Sequence, residues 1–197
     1  MGGVTLTLEL LEHALAQTGA LIDGIRPADQ GQLRTPCTDW DVRALVNHIV
    51  YDLQTFARQL DGRERGQADA DLIGDDWPAA YRGAAATLLE TWRRQDLDGV
   101  LRTRIGEFPM RWAIGQHLAD VAVHGWDVAR ATGQQAELDP QVGQAALDWA
   151  RENLKSQFRG AAFGPEVPAP ADAPLYDRLA AFFGRPPGWT RAQAASS

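Results

Sequence analysis

The sequence predicts an all-α protein, a four-helix bundle with additional C-terminal helices. The prediction depends on composition, on the helical spacing of apolar residues and on where the prolines lie. Alanine and leucine account for 53 of the 197 residues, whereas valine and isoleucine account for 16. Alanine and leucine favour helices, and the β-branched residues that favour strands are scarce. Six of the eleven prolines fall within residues 165–187, and the other five lie between helix-like segments, where proline is tolerated.

The helices follow in order from this spacing and from capping residues. The first spans about Leu6 to Ile25, with leucine and isoleucine on one face. The second opens at Thr38, which forms a capping-box pattern with Asp41 three residues later, and ends near Gly62. An acidic, polar stretch follows and is predicted to be a loop long enough to cross along the bundle. The third long helix begins at Trp77, and the fourth runs from Met110 to Ala131 with Gly133 as C-cap. The fifth begins at Pro140 with Asp139 as N-cap, and a short last helix runs from Leu175 to Phe183.

This pattern also predicts how the chain is organised. Amphipathic helices joined mostly by short loops bury their apolar stripes against one another as a bundle. We therefore expect residues 1–160 to form a four-helix bundle with a fifth helix. Residues 161–197 are expected to form a proline-rich extension whose short helix packs on that bundle.

Composition excludes several classes of protein. The single cysteine, Cys37, excludes an intramolecular disulfide and a zinc site built from several thiolates. A net charge of −7 argues against nucleic acid as a partner, because contacts to a phosphate backbone need a basic face. No apolar run approaches the roughly 18 residues of a membrane span, and the N-terminal residues lack the basic flank of a secretory signal. We expect a soluble, cytoplasmic and acidic globular protein.

The fourth long helix carries the first chemical signal. At about 100° per residue, His117, Asp120 and His124 lie within a 60° arc of one face. Asp120 and His124 are four residues apart, a spacing at which two side chains can bind one ion. Polar groups set among alanine and valine need partners when they are buried, and a metal ion is one such partner.

His48 supplies the second half of this signal, because it sits beside the apolar stripe of the second helix. A bundle can bring it to Asp120 and His124 at its centre. Two imidazoles and one carboxylate would leave coordination positions open, as in catalytic zinc sites. The same donors also suit iron(II), so ligand type alone does not choose the metal.

Other readings of these residues stay open. His117 is a fourth ligand, a residue that orients a ligand or relays a proton, or simply a partly exposed side chain. Asp127 and Arg130 are expected to form an ion pair along their helix. Cys37 is expected to be inert, since nothing in the sequence indicates a lowered thiol pKa.

Three blocks of sequence resemble the DinB-like metalloprotein superfamily, and within it the mycothiol-dependent maleylpyruvate isomerase-like metal-binding domain. The first block runs from Thr38 to His48 and is similar to a family pattern ending in Leu-Val-x-His. The second, from Asp120 to Gly133, is close to the signature Asp/Glu-x-x-x-His-x-Trp-Asp-Leu-Ala-x-Ala-x-Gly. The third comprises residues 159–163 and 179–186, which resemble the ending of a short-chain subfamily.

The resemblance implies that His48, Asp120 and His124 hold a divalent ion, usually zinc, with nickel or iron as alternatives. It also implies a low-molecular-weight thiol such as mycothiol as cosubstrate, in isomerase or transferase chemistry on a small electrophile. The isomerase branch has glutamate where Asp120 stands, whereas the shorter carboxylate is common in the short-chain subfamily.

Two further hypotheses compete with an enzyme. The chain could be a non-catalytic metal-binding module that acts in a stress response or as a scaffold. Alternatively, the polar residues are structural and no metal binds. The sequence also leaves open a homodimer formed through an exposed helix face.

Overall fold

Helices make up most of the part of the chain that the structure, a computed structural model, describes: residues 7–68, 70–103, 106–154, 159 and 164–191. The helices are α1 (Leu8–Asp23), α2 (Pro27–Gln30), α3 (Val42–Leu60), α4 (Trp77–Arg93), α5 (Met110–Thr132), α6 (Pro140–Asn153) and α7 (Leu175–Phe182). Two short antiparallel strands, β1 (Val100–Thr103) and β2 (Gly106–Pro109), form a hairpin between α4 and α5. No helix within these residues is long and apolar enough to cross a membrane.

Four of the helices form a closed bundle in which each contacts two neighbours. Helix α1 packs on α4 and α5, and α3 packs on the same two helices from the other side. Helix α6 then covers α5 and α1, and α7 packs on α6 and α5. Helix α5 is consequently buried around almost its whole circumference. The predicted all-α bundle with additional C-terminal helices is confirmed.

The predicted start of the second long helix at Thr38 is wrong. Helix α3 begins at Val42, and the carboxylate of Asp41 is its cap, accepting a hydrogen bond of 2.8 Å from the backbone N–H of Ala44. The preceding residues are held in a turn outside the helix, in which the backbone N–H of Thr35 donates to Trp40 O and the backbone N–H of Trp40 donates to Cys37 O. Both positions carry good capping residues, and this turn decides between them.

Two elements were not predicted. Helix α2 is a single turn, too short to show helical periodicity. The hairpin falls between the predicted helix that begins at Trp77 and the one that begins at Met110, and its strands have four residues each. Strands this short give almost no alternating pattern.

The C-terminal segment, which we define as residues 164–191, is tied to α5 by a buried carboxylate. On α7, Asp177 accepts hydrogen bonds from Trp126 Nε1 (2.8 Å) and from Arg130 Nη2 (2.6 Å). The predicted pair between Asp127 and Arg130 is therefore wrong, because each residue pairs with the C-terminal segment instead. The predicted boundary between residues 160 and 161 lies outside the described residues.

Close packing of α6 on α5 depends on Gly115, and we expect Gly115→Ala to lower stability by about 2 kcal/mol. A Cβ atom there would lie 2.2 Å from Cδ1 and 2.6 Å from Nε1 of the buried Trp149 ring. Overpacking of this kind costs about 1–3 kcal/mol, partly offset by the higher helix propensity of alanine. Denaturant unfolding would measure the change.

The matched control is Gly83→Ala on α4, where the added methyl group would meet no atom within 4 Å apart from its chain neighbours and the local helix backbone. This variant should gain about 0.5–1 kcal/mol, since alanine restricts the unfolded chain and favours the helix. Equal stability of the two variants would contradict the proposed tight contact at Gly115.

Candidate metal centre

A cavity of about 680 Å³ opens between α3, α5, the turn before α3 and the C-terminal segment. Two imidazoles and three carboxyl groups line it: His48 and Asp52 from α3, Asp120 and His124 from α5, and Asp39 from the turn before α3. The cavity volume is within the range of pockets that bind small molecules.

On α3, His48 and Asp52 are one helical turn apart and contact each other. His48 Nε2 lies 3.0 Å from Asp52 Oδ2. The apolar stripe of α3, which includes Leu45, Ile49 and Leu53, is buried in the bundle core, so the adjacent polar pair lies at its edge. The Trp40 ring, in the turn before α3, covers the His48 ring with centroids 4.2 Å apart.

On α5, His124 faces His48 across the cavity. The two rings meet edge to face, with centroids 5.1 Å apart and planes at 83°. His124 Nδ1 lies 3.0 Å from Asp127 Oδ2. Because a carboxylate only accepts hydrogen bonds, His124 Nδ1 carries the proton and Nε2 keeps its lone pair. Burial lowers the pKa of His124 despite the neighbouring Asp127, so the neutral imidazole can act as a ligand.

Behind His124, Asp127 is fully buried and is held by Arg185 from the C-terminal segment, 2.9 Å away through Nη2. Burial alone would raise the pKa of Asp127, but the Arg185 guanidinium and the hydrogen bond with His124 outweigh it and hold the pKa at about 2. Asp127 is therefore ionised at neutral pH. An imidazole backed by a carboxylate in this way is the usual arrangement of a metal-ligating histidine.

Cys37 borders the same network. Its Sγ lies 3.2 Å from Asp127 Oδ2 and accepts a hydrogen bond from Arg185 Nη2, also at 3.2 Å. Burial and the charge of Asp127 raise the pKa of the thiol, so it stays protonated at neutral pH. These are the properties of an inert thiol, as expected from the sequence.

Asp120 lies one turn before His124 and lines the same cavity. Burial raises the pKa of Asp120 well above its usual range, and the charge of Asp52 adds to the increase. A cation bound beside a buried carboxyl group favours the ionised form of that group, so a metal ion in this cavity would stabilise the Asp120 carboxylate.

The donor set fits a divalent transition metal. Ligand atoms of His48, Asp52 and His124 lie within 4.8 Å of one another. Among the described residues, Cys37, His124 and Asp127 form a second group this close, but there the Arg185 guanidinium already supplies the positive charge. Imidazole nitrogen together with carboxylate oxygen suits zinc, iron(II) and nickel. His48, Asp52 and His124 are thus the group that can accept a cation, with Asp120 beside them.

The fourth sequence-predicted residue, His117, has its main contacts in the bundle core. Its Nδ1 accepts a hydrogen bond of 3.1 Å from Trp92 Nε1, and its ring stacks on Phe56 with centroids 3.8 Å apart. Burial lowers the pKa of His117 to about 3, so the ring is neutral. These contacts provide a structural role, and a role in orienting a ligand or relaying a proton stays a prediction.

Three residues of this site were not predicted from the sequence: Asp52, Asp127 as the partner of His124, and Arg185. The first two have a signal in the sequence, since Asp52 is four residues after His48 and Asp127 is three after His124. Arg185 is 58 residues from Asp127 and has no such signal.

One family of known proteins matches most of the helical bundle of this chain. Residues 11–129 match the family described as "Mycothiol maleylpyruvate isomerase N-terminal domain". The chain belongs to this family. The resemblance noted from the sequence motifs is therefore confirmed. The family match ends at residue 129, so α6, α7 and Arg185 lie beyond it.

Two curated relatives from Mycobacterium tuberculosis match nearly the whole chain. They are the uncharacterized proteins MT0763 (strain CDC 1551 / Oshkosh) and Rv0738 (strain ATCC 25618 / H37Rv). Each is 35% identical over 181 residues, which cover 89% of this chain and 97% of the relative. The similarity to these proteins thus extends into the C-terminal part of the chain.

Two solved structures share the fold. One is the mycothiol-dependent maleylpyruvate isomerase, 16% identical with a TM-score of 0.57, and the other is a histidine-to-alanine mutant of that enzyme, 14% identical with a TM-score of 0.56. Each alignment covers 74% of this chain and 70% of the other chain. At this identity the comparison establishes the bundle architecture, and the chemistry has to be argued from the residues of this chain.

Proposed function

We propose that the protein binds a divalent metal ion in the cavity between α3 and α5 and uses a low-molecular-weight thiol to isomerise, or to transfer sulfur to, a small electrophile. The observation that carries this proposal is the convergence of His48 and His124, from helices distant in sequence, on one cavity with carboxyl groups beside them. Membership of a mycothiol-related family supports mycothiol as the thiol.

The proposed protein ligands are His48, Asp120 and His124, with Asp52 as the further carboxylate that the structure places next to both imidazoles. Zinc is the metal we expect. Nickel and iron are alternatives, because this donor set suits all three metals. Three protein ligands leave room for an exogenous one, as in catalytic zinc sites.

A bound divalent ion would supply one chemical property, the lowering of a thiol pKa so that thiolate is present at neutral pH. The residues of this chain do the rest. Asp127 holds His124 with Nε2 available, and Trp40 and Phe183 provide cavity walls against which the organic part of a substrate can pack.

The reaction itself balances without an oxidant or a reductant. In isomerisation, the thiolate sulfur bonds to an electrophilic carbon of an unsaturated substrate while the carbon–carbon π bond breaks and its electron pair moves onto the activating group. The resulting single bond rotates, and the π bond re-forms as the carbon–sulfur bond breaks to return the thiolate. In transfer, a leaving group departs with the electron pair, and the sulfur stays bound to the product.

Cobalt substitution tests the proposal. We expect purified protein to contain about one zinc per chain by elemental analysis, and the cobalt-substituted protein to develop a sulfur-to-metal charge-transfer band when mycothiol is added. S-methyl mycothiol, in which the sulfur is alkylated and cannot form a thiolate, is the control and should give no band. Bound metal with no thiol band would favour the non-catalytic metal-binding module, and absence of metal would favour a purely structural role for these residues.

A further inference from the structure

Arg185 is a cation buried beside the cavity, with its guanidinium engaged by the protein itself. It is 9% exposed. Nη2 donates to Asp127 Oδ2 at 2.9 Å, Nε lies 3.3 Å from both carboxylate oxygens, and Nη1 donates to the backbone oxygen of Phe183 at 2.9 Å. The side chain is therefore committed to internal contacts, which fits a role in building the site better than a role in binding a substrate anion.

The backbone turn that aims Arg185 depends on glycine. Gly184 has φ +86°, in the left-handed region, and a Cβ atom there would lie 3.0 Å from Gly164 Cα and from Pro165 O. The backbone N–H of Arg185 donates to Ala180 O at 2.9 Å, which closes the end of α7. Any side chain at residue 184 would be strained, both by the positive φ and by the close contacts with Gly164 and Pro165. The local sequence therefore favours the turn that directs the Arg185 guanidinium toward Asp127.

Arg185 and His124 meet at the same atom. Asp127 Oδ2 accepts from Arg185 Nη2 and lies 3.0 Å from His124 Nδ1. Fixing this oxygen fixes the orientation of the imidazole and keeps its proton on Nδ1. Nε2 is then the nitrogen left for a cation, on the cavity side where His48 lies.

We propose that Arg185 is a positioning residue of the metal centre, which acts through Asp127 to hold the His124 imidazole in its ligating orientation and tautomer. This inference rests on the proposed metal site. It assigns a specific task to the C-terminal segment, which lies beyond the family match ending at residue 129. The segment thus completes a site whose proposed ligands all come from the bundle.

A neighbouring ion pair provides a matched control. Arg130 and Asp177 also tie α5 to the C-terminal segment, but Asp177 shares its carboxylate with Trp126 and not with a proposed ligand. If Arg185 served only to dock this segment, Arg130→Met and Arg185→Met would have the same effect on the site. If it positions His124, the effects on metal binding differ.

The experiment compares the two variants with the wild type by zinc competition with a chromophoric chelator, the visible spectrum of the cobalt form and ¹⁵N NMR of the histidine rings in metal-free protein. We expect Arg185→Met to weaken zinc binding by about 10–100-fold, the range measured for residues that orient metal ligands. Its cobalt spectrum should change, and the His124 ring should lose its predominance of the Nδ1–H tautomer. Arg130→Met should stay within about twofold of wild-type affinity, with an unchanged tautomer.

Wild-type zinc affinity and tautomer in a folded Arg185→Met variant would overturn the inference, as would equal losses in both variants. The tautomer measurement separates the inference from the proposed function. If the wild type binds no metal and the tautomer changes in Arg185→Met but not in Arg130→Met, the metal site is refuted and the positioning role is supported. Should Arg185→Met not fold, Asp127→Asn carries the test, because an amide at that position can also donate and so permits the other tautomer. Wild-type tautomer and zinc affinity in Asp127→Asn would likewise overturn the proposal.

Discussion

Replacing His124 with alanine is expected to abolish stoichiometric zinc binding while the bundle stays folded. The substitution removes one of three proposed ligands, which should weaken affinity by more than about a hundredfold, the upper end of the effect for residues that only orient a ligand. The cost to the metal-free fold is small, because Asp127 keeps its pairing with Arg185 and alanine favours the helix. Elemental analysis and circular dichroism of the same preparation would measure both parts.

His13→Ala is the control for loss of a histidine as such. His13 lies on α1 with its side chain 52% exposed and paired with Asp139, away from the cavity residues. This variant should keep its zinc. Added zinc should raise the melting temperature of the wild type and of His13→Ala but not that of His124→Ala, since a ligand stabilises only the state that binds it. One zinc per chain in folded His124→Ala would refute the ligand assignment.

The fold was predictable because most of its signals are local. Asp76 and Asp139 cap α4 and α6 ahead of prolines in the first turn, and Gly133 ends α5 with φ +73°. The misplaced start of α3 shows where local reasoning ends. Thr38 and Asp41 are both good caps, and only the backbone pairing between Thr35 and Trp40 selects the second.

Part of the candidate site was also predictable, because its signals are local in the sequence. His48 and His124 stand out as imidazoles beside apolar stripes, and the structure brings their rings to 5.1 Å. Arg185 could not be predicted, because its contact with Asp127 spans 58 residues and depends on how the C-terminal segment folds back over α5. The structure also places Asp52, rather than Asp120, in the tight group with both imidazoles. The sequence motif and the geometry therefore favour different carboxylates.

A pair of matched variants separates these two carboxylates. We expect Asp120→Asn to lose stoichiometric zinc, a fall of more than about a hundredfold, and Asp52→Asn to retain zinc with affinity reduced by about tenfold. The difference follows from burial: Asp120 is buried on α5 beside His124, whereas Asp52 is partly exposed and contacts His48 Nε2. Both substitutions keep the shape of the side chain, so zinc competition and elemental analysis would report on the ligand itself.

The metal-free forms make the comparison sharper. Burial and the charge of Asp52 raise the pKa of Asp120, which shifts its carboxyl group toward the neutral form when no metal is bound. Asparagine is also neutral. Asp120→Asn should therefore unfold at or slightly above the melting temperature of metal-free wild type, although it is the variant that loses zinc. Asp52→Asn replaces the carboxylate that contacts His48 and should unfold slightly below it. If zinc is instead lost in Asp52→Asn and retained in Asp120→Asn, Asp52 is the carboxylate ligand, and the motif that assigned this role to Asp120 does not hold for this chain.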